Sequence, residues 1–411
     1  MMETNPWFWL ALIATVGLYK LELLATMLNL SALSPTVPEK LRPQVDDERH
    51  ERALEYARRT AKTGVVEAST QLGIFLTFWW GGGFSWMDGW IRGTGLDPIL
   101  AGLAVFGLYF LAQSLLALPF DLYDTFVVEA EFGFNKTTPA TFLGDRIKGL
   151  ALGAILGLPL LAFILWLFMH VELAALYAWL TLTAFSLLIS FLSPRLILPL
   201  FYKFQPLPDE SLRQAIMELS RKLGFPVAEV SLVDGSRRSS KANAFFTGFG
   251  KLKRIALFDT LVQNHSREEI LAVLAHEIGH SKRKHVPRQM ALSLVTSALM
   301  FLLLHLSIHD PRMTAAFGVA GPSVAWSLLF FTIMYQPMST LTGLVGGWLS
   351  RKYEFEADAY AKEAMGGPQP LVSALSRLSS DHLSNPTPHP FYVFLHYSHP
   401  PLLERLAALE K

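Results

Sequence analysis

The chain has 411 residues, 35 Lys and Arg against 34 Asp and Glu, and no cysteine; 51% is apolar and only 17% charged, where an ordinary soluble domain carries about 25% charged residues. That composition excludes disorder and collagen and fits an integral membrane protein. A net charge of +1 argues against nucleic acid as a partner, and without cysteine any metal must sit on His, Asp or Glu.

Seven stretches are apolar over the roughly 20 residues that a membrane helix needs. They lie at 7–30, 67–90, 98–120, 147–169, 173–201, 289–309 and 324–350. Lys20, Glu22, Gly81 to Gly83, Asp88, Pro194, Arg195 and Pro199 interrupt them. Such residues sit within a span only against protein or a wet cavity, so a bundle with a polar interior is expected. The first stretch reads as a retained span, because it lacks a basic lead-in and is too long for a cleavable signal.

Seven spans put the polar segments 31–66, 121–146, 202–288 and 351–411 on one side. With Lys148 assigned to the second segment, these hold 31 of the 35 basic residues, and the opposite side holds only Arg92 and Arg312. The positive-inside rule makes the basic side cytoplasmic and leaves the N-terminus outside. Four regions follow: 1–201 with five spans and loops 31–66 and 121–146; a cytoplasmic soluble domain at 202–288; 289–350 with two spans; and a cytoplasmic segment at 351–411.

Within 202–288, residues 209–223 read as an amphipathic helix with Asp209 as N-cap and Gly224 as its stop. Short apolar runs at 230–233, 244–249 and 254–258 read as strands, with Gly248, Gly250 and Lys251 in a hairpin loop between the last two. Ser266 and Glu269 form a capping box that starts a helix running to about Lys284. His265 and His285, which flank this helix, read as surface residues. His305 and His309 end the sixth span.

That helix contains His276-Glu277-Ile278-Gly279-His280. Residues four apart on a helix share a face, so both imidazoles point one way, as zinc ligands do in H-E-x-x-H. Glu277 lies where a general base is needed. A catalytic zinc takes three protein ligands, and the best third candidate is Glu354 in the run Glu354-Phe355-Glu356-Ala357-Asp358. Glu354 and Asp358 share a face, so one can bind metal while the other orients a ligand ring. Spacing alone does not choose Glu354 over Glu356 or Asp358.

These motifs, with Asn243-Ala244-Phe245-Phe246, the run 253–261, His399-Pro400-Pro401-Leu402-Leu403-Glu404-Arg405 and the stretch 123–136, resemble the Ste24-type CAAX prenyl proteases, membrane zinc metalloproteases of the M48 group. The resemblance implies a mainly α, polytopic protein: seven transmembrane helices around a polar chamber, plus a cytoplasmic α+β zincin-like catalytic domain. It implies one zinc per chain on His276, His280 and Glu354, with Asp358 supporting a ligand. It implies Glu277, His399 and Arg405 as catalytic groups, and Asn243, Ala244 and Phe245 on an edge strand that pairs with substrate. Peptides or proteins, prenylated ones included, are the implied substrates, and the bilayer is the other partner. A bacterial plasma membrane or an endoplasmic reticulum or inner nuclear membrane would house it, depending on the source. A quality-control protease without prenyl substrates and a scaffold with a structural zinc are the competing readings.

Overall fold

The structure is a computed structural model and describes residues 2–247 and 253–411. Among the described residues, six helices are long and apolar enough to cross a membrane: Pro6–Ser31, Pro98–Glu131, Pro139–His170, Ala174–Phe201, His285–Ser307 and Val324–Ala364. Each expected span except the second falls on one of them.

The expected second span, 67–90, is not one helix. Its first part ends a helix that begins in the polar loop, Asp47–Trp80, and its second part belongs to Gly83–Gly93. Gly82 joins the two in the left-handed conformation, φ +78°, which glycine adopts without the Cβ penalty. The break folds Phe84 back against Phe75 and Phe78 in an aromatic cluster that also holds Trp79. Trp79 stacks on Phe317 at 4.7 Å and Phe317 on Phe330 at 3.8 Å. Asp88, an anomaly in a lipid-facing helix, is buried against protein. It accepts from Trp326 Nε1 at 2.8 Å and from Arg92 Nε at 2.8 Å.

Between the spans, the described residues form a small sheet of four strands: β1 (Phe204–Pro206), β2 (Glu229–Val233), β3 (Ala244–Thr247) and β4 (Arg254–Phe258). Their order is β1-β2-β4-β3, with β2 and β4 parallel and the other pairs antiparallel. Ile255, Ala256 and Leu257 are all buried, as a strand covered on both faces requires. The expected hairpin loop at Gly248, Gly250 and Lys251 and the last two residues of the 244–249 run lie outside the described residues. The short strand β1 was not evident in the sequence.

The helix Glu210–Lys222 starts on Asp209, whose carboxylate accepts from Leu212 N at 2.9 Å. It packs with the H-E-x-x-H helix, Arg267–Lys282, over a core of Ile216, Val230, Ile255, Leu257, Ile270, Leu274 and Ile278. Ser266 and Glu269 close the expected capping box. The helix Val324–Ala364 runs unbroken for 41 residues. Its last turns leave the apolar stretch at Arg351 and carry Glu354 and Asp358 to the sheet domain.

Candidate metal centre

Two helices build the centre. His276 and His280 extend from Arg267–Lys282 toward Glu354 on the long helix. The helices approach closely at Gly279, where an added Cβ would lie 3.2 Å from Ala357 Cα and its carbonyl oxygen. His280 Nε2 is 3.1 Å from His276 Nε2 and 3.2 Å from Glu354 Oε1, and His276 Nε2 is 3.4 Å from Glu354 Oε2. Four donors about 2.0–2.1 Å from a tetrahedral zinc lie roughly 3.3 Å from one another, so this spacing fits zinc. Glu354 Oε2 is also buried without a hydrogen bond of its own. Among the described residues, these three form the group whose ligand atoms all lie within 4.8 Å of one another.

A second layer holds the candidate ligands. His276 Nδ1 lies 2.8 Å from Asp358 Oδ1. Asp358 accepts from Arg405 Nε at 2.8 Å and Nη2 at 2.6 Å, and Arg405 Nη1 is 3.4 Å from Glu354 Oε2. Burial works against a charge on His276, but the Asp358 and Glu354 carboxylates outweigh it and hold the ring's pKa up at about 9. Carboxylates converging on one imidazole make a seat for a cation, whether a proton or a metal. Burial likewise opposes the Arg405 charge, while Asp358 and Glu354 keep its pKa raised.

Of the expected residues, Asn243, Ala244, His276, Glu277, Glu354, His399 and Arg405 line a groove of about 640 Å³. β3 is an edge strand. Phe258 N donates to Asn243 O at 3.0 Å, and Ala244 pairs with Leu257. Antiparallel residues alternate between bonding the neighbour and facing away, so the Ala244 backbone faces the open edge. There Asn243 Oδ1 accepts from Ala244 N at 2.8 Å. Phe245 offers the open edge nothing: its backbone, paired with Ala256, faces β4, and its ring packs edge-on to Phe258 at 6.1 Å.

His399 has a 63% exposed side chain with Nε2 3.4 Å from Glu354 Oε1. Arg405 is buried behind the centre, and two of its donors go to Asp358. A second cavity, also about 640 Å³ and lined by Tyr19, Glu22, Thr26, Tyr56 and Thr60 on the helices, shares His382, Ser384, Asn385 and Tyr397 with the groove.

His265 and His285 are not surface residues: their exposures are 6% and 1%. Two residues, Arg283 and Lys284, separate the motif helix from the next, and Lys284 is in the left-handed conformation at φ +58°. It turns His285 back under His280, and nothing in the sequence signals that turn. Lys241 also escaped the sequence reading. It precedes β3 and ties that strand to the helical part, donating to Glu129 Oε2 at 3.1 Å and Tyr56 OH at 3.0 Å.

Residues 206–411 match the family described as Peptidase family M48, and residues 26–203 match the CAAX prenyl protease N-terminal domain, described with five membrane helices. The chain belongs to the M48 peptidase family. It is 36% identical to the CAAX prenyl protease 1 homolog of Oryza sativa over 92% of this chain and 90% of that one. It is 33% identical to CAAX prenyl protease 1 of Saccharomyces cerevisiae over 98% and 95%. The crystal structure of S. mikatae Ste24p superposes with a TM-score of 0.93 at 32% identity, covering all of both chains. With its membrane helices, the M48 chain is a multi-pass membrane zinc metalloprotease.

Proposed function

We propose that this protease cuts extended peptides, prenylated protein C-termini among them, in the groove beside β3, with zinc on His276, His280 and Glu354. The mutual spacing of those three ligand groups carries the reading. Zinc held there would polarise a scissile carbonyl and lower the pKa of water to about 7.

This chain's own residues do the rest. An extended substrate pairs with the open edge at Ala244, displacing the Asn243 side chain, and so fixes where its carbonyl lies. Glu277 takes the proton of the attacking water and returns it to the leaving amine. His399, exposed at the groove, donates to the developing oxyanion. Arg405 serves chiefly to hold Asp358 and, through it, His276. The names of the relatives and the second cavity beside the groove support a lipidated substrate. The distribution of basic residues supports a cytoplasmic groove, an outer N-terminus and a seventh crossing made by the broken pair Asp47–Trp80 and Gly83–Gly93.

Glu277→Gln tests the mechanism. Purified in detergent, it is expected to keep one zinc per chain and lose cleavage by about 10²- to 10⁴-fold. Wild-type cleavage by that variant would sink the assignment. Mass spectrometry of the products from matched farnesylated and unmodified peptides reads the substrate class, and equal rates on both overturn the lipid preference.

A further inference from the structure

His280 offers the centre its Nε2, so the state of its Nδ1 matters. Nδ1 lies 3.0 Å from His285 Nδ1. On the far side of that ring, His285 Nε2 lies 3.1 Å from Glu356 Oε2. His285 is buried, and its ring stacks on Tyr353 at 4.2 Å and 8°. Arg288 Nη1, 3.9 Å from Glu356 Oε2, keeps a positive charge beside the carboxylate.

Only one distribution of protons satisfies all three groups while leaving His280 able to ligate. A carboxylate only accepts, so His285 Nε2 carries its proton toward Glu356. A neutral imidazole has one proton, so His285 Nδ1 is then an acceptor. His280 Nδ1 must therefore donate, which leaves the lone pair of His280 Nε2 facing Glu354 and His276. Reversing the chain would put a proton on His280 Nε2, where it blocks a metal. Metal-ligating histidines take their orientation and tautomer from such partners.

We propose that Glu356 and His285 are positioning residues that fix the tautomer and ring orientation of His280 for zinc. This rests on the zinc reading above. It also gives Glu356 a role distinct from its neighbours: Glu354 reaches the centre directly, Asp358 supports His276, and Glu356 supports His280 through a second imidazole. The left-handed Lys284 is the backbone feature that brings His285 into this chain of contacts.

The test uses the full-length protein in detergent, with zinc affinity from competition against a chelator and the visible spectrum of the cobalt-loaded form. His285→Phe keeps a flat ring over Tyr353 but removes the acceptor, and is expected to weaken zinc by about 10- to 100-fold and shift the cobalt bands. His285→Asn places an amide oxygen near the Nδ1 position and is expected to recover most of that loss. Glu356→Ala, at a partly exposed site, is expected to weaken zinc severalfold even if His285→Phe does not fold. Wild-type affinity and spectrum in His285→Phe or Glu356→Ala overturn the proposal, as does a loss in His285→Asn equal to that in His285→Phe. His280→Ala is the control: if it keeps wild-type zinc, or the wild type binds none, the zinc reading itself has failed.

Discussion

Arg405 and Asp358 meet in a buried two-pronged ion pair, with Nε to Oδ2 at 2.8 Å and Nη2 to Oδ1 at 2.6 Å. The pair joins the C-terminal helix Leu402–Leu409 to the long helix Val324–Ala364, directly behind His276. A buried pair of this kind adds little net stability over an apolar substitute, yet losing one partner strands the other.

Arg405→Ala should therefore lower stability by roughly 3–5 kcal/mol, because both Asp358 and Glu354 lose their nearest guanidinium. Arg405→Lys should recover only part of this, since an ammonium cannot span both carboxylate oxygens as a fork. Thermal unfolding in detergent measures it. A melting temperature for Arg405→Ala equal to wild type would mean the pair contributes nothing to holding the centre.

The open edge of β3 makes a prediction about substrate alone. Proline at 244 removes an outward N–H without removing a bond to β4, and edge strands tolerate it. Ala244→Pro should raise KM about five- to tenfold, the worth of one hydrogen bond, with zinc content unchanged. Phe245→Pro removes an inward N–H and should instead lower stability. Steady-state kinetics paired with unfolding curves separate the two, and the same KM for Ala244→Pro and wild type would rule out pairing at this edge.

The sequence was most legible where one residue's local chemistry decides the structure. The Asp209 cap, the Ser266–Glu269 box and the His276–His280 spacing all depend on neighbours within five positions. It was less legible where contacts come from afar. Glu354 could not be told from Glu356 by spacing, because the choice depends on which face of a 41-residue helix meets the motif helix. His285 read as a surface residue because a left-handed lysine carries no sequence signature. The 67–90 stretch read as one span because hydropathy sees apolar residues, whereas Gly82 decides whether the helix continues.

Glu269 gives the sheet domain a pH dependence with a definite sign. Burial would raise its pKa, but the Ser373 hydroxyl at 2.6 Å, the Ser266 backbone N–H at 2.8 Å and Arg377 at 3.2 Å stabilise the carboxylate and lower it overall. A carboxyl with a folded pKa below its unfolded value contributes stability above the unfolded pKa, about 4.3, and loses it as pH falls through the folded one. Glu269→Gln should thus be less stable than wild type at pH 7, by about 2 kcal/mol, with the gap closing below about pH 4. Unfolding midpoints at pH 7, 4 and 3 test this, and a gap that widens on acidification would reverse the assignment.

Gly279 makes the sharpest test of how the centre is assembled. In an exposed helix, Gly→Ala gains about 1 kcal/mol of helix propensity. Here the new methyl group would sit 3.2 Å from Ala357 Cα, from Ala357 O and from Tyr360 Cβ. Two of those three atoms are backbone, so relief requires the helices to separate. Glu354 lies on one helix and His276 and His280 on the other, so separation stretches the 3.2 and 3.4 Å spacings that match a tetrahedral metal. Gly279→Ala should therefore bind zinc about tenfold or more weakly while its helix content by circular dichroism holds or rises. Zinc competition with a chelator, read beside the circular dichroism spectrum, decides it. Wild-type zinc affinity with a higher melting temperature would mean that the glycine is a helix defect and not a spacer between the ligand-bearing helices.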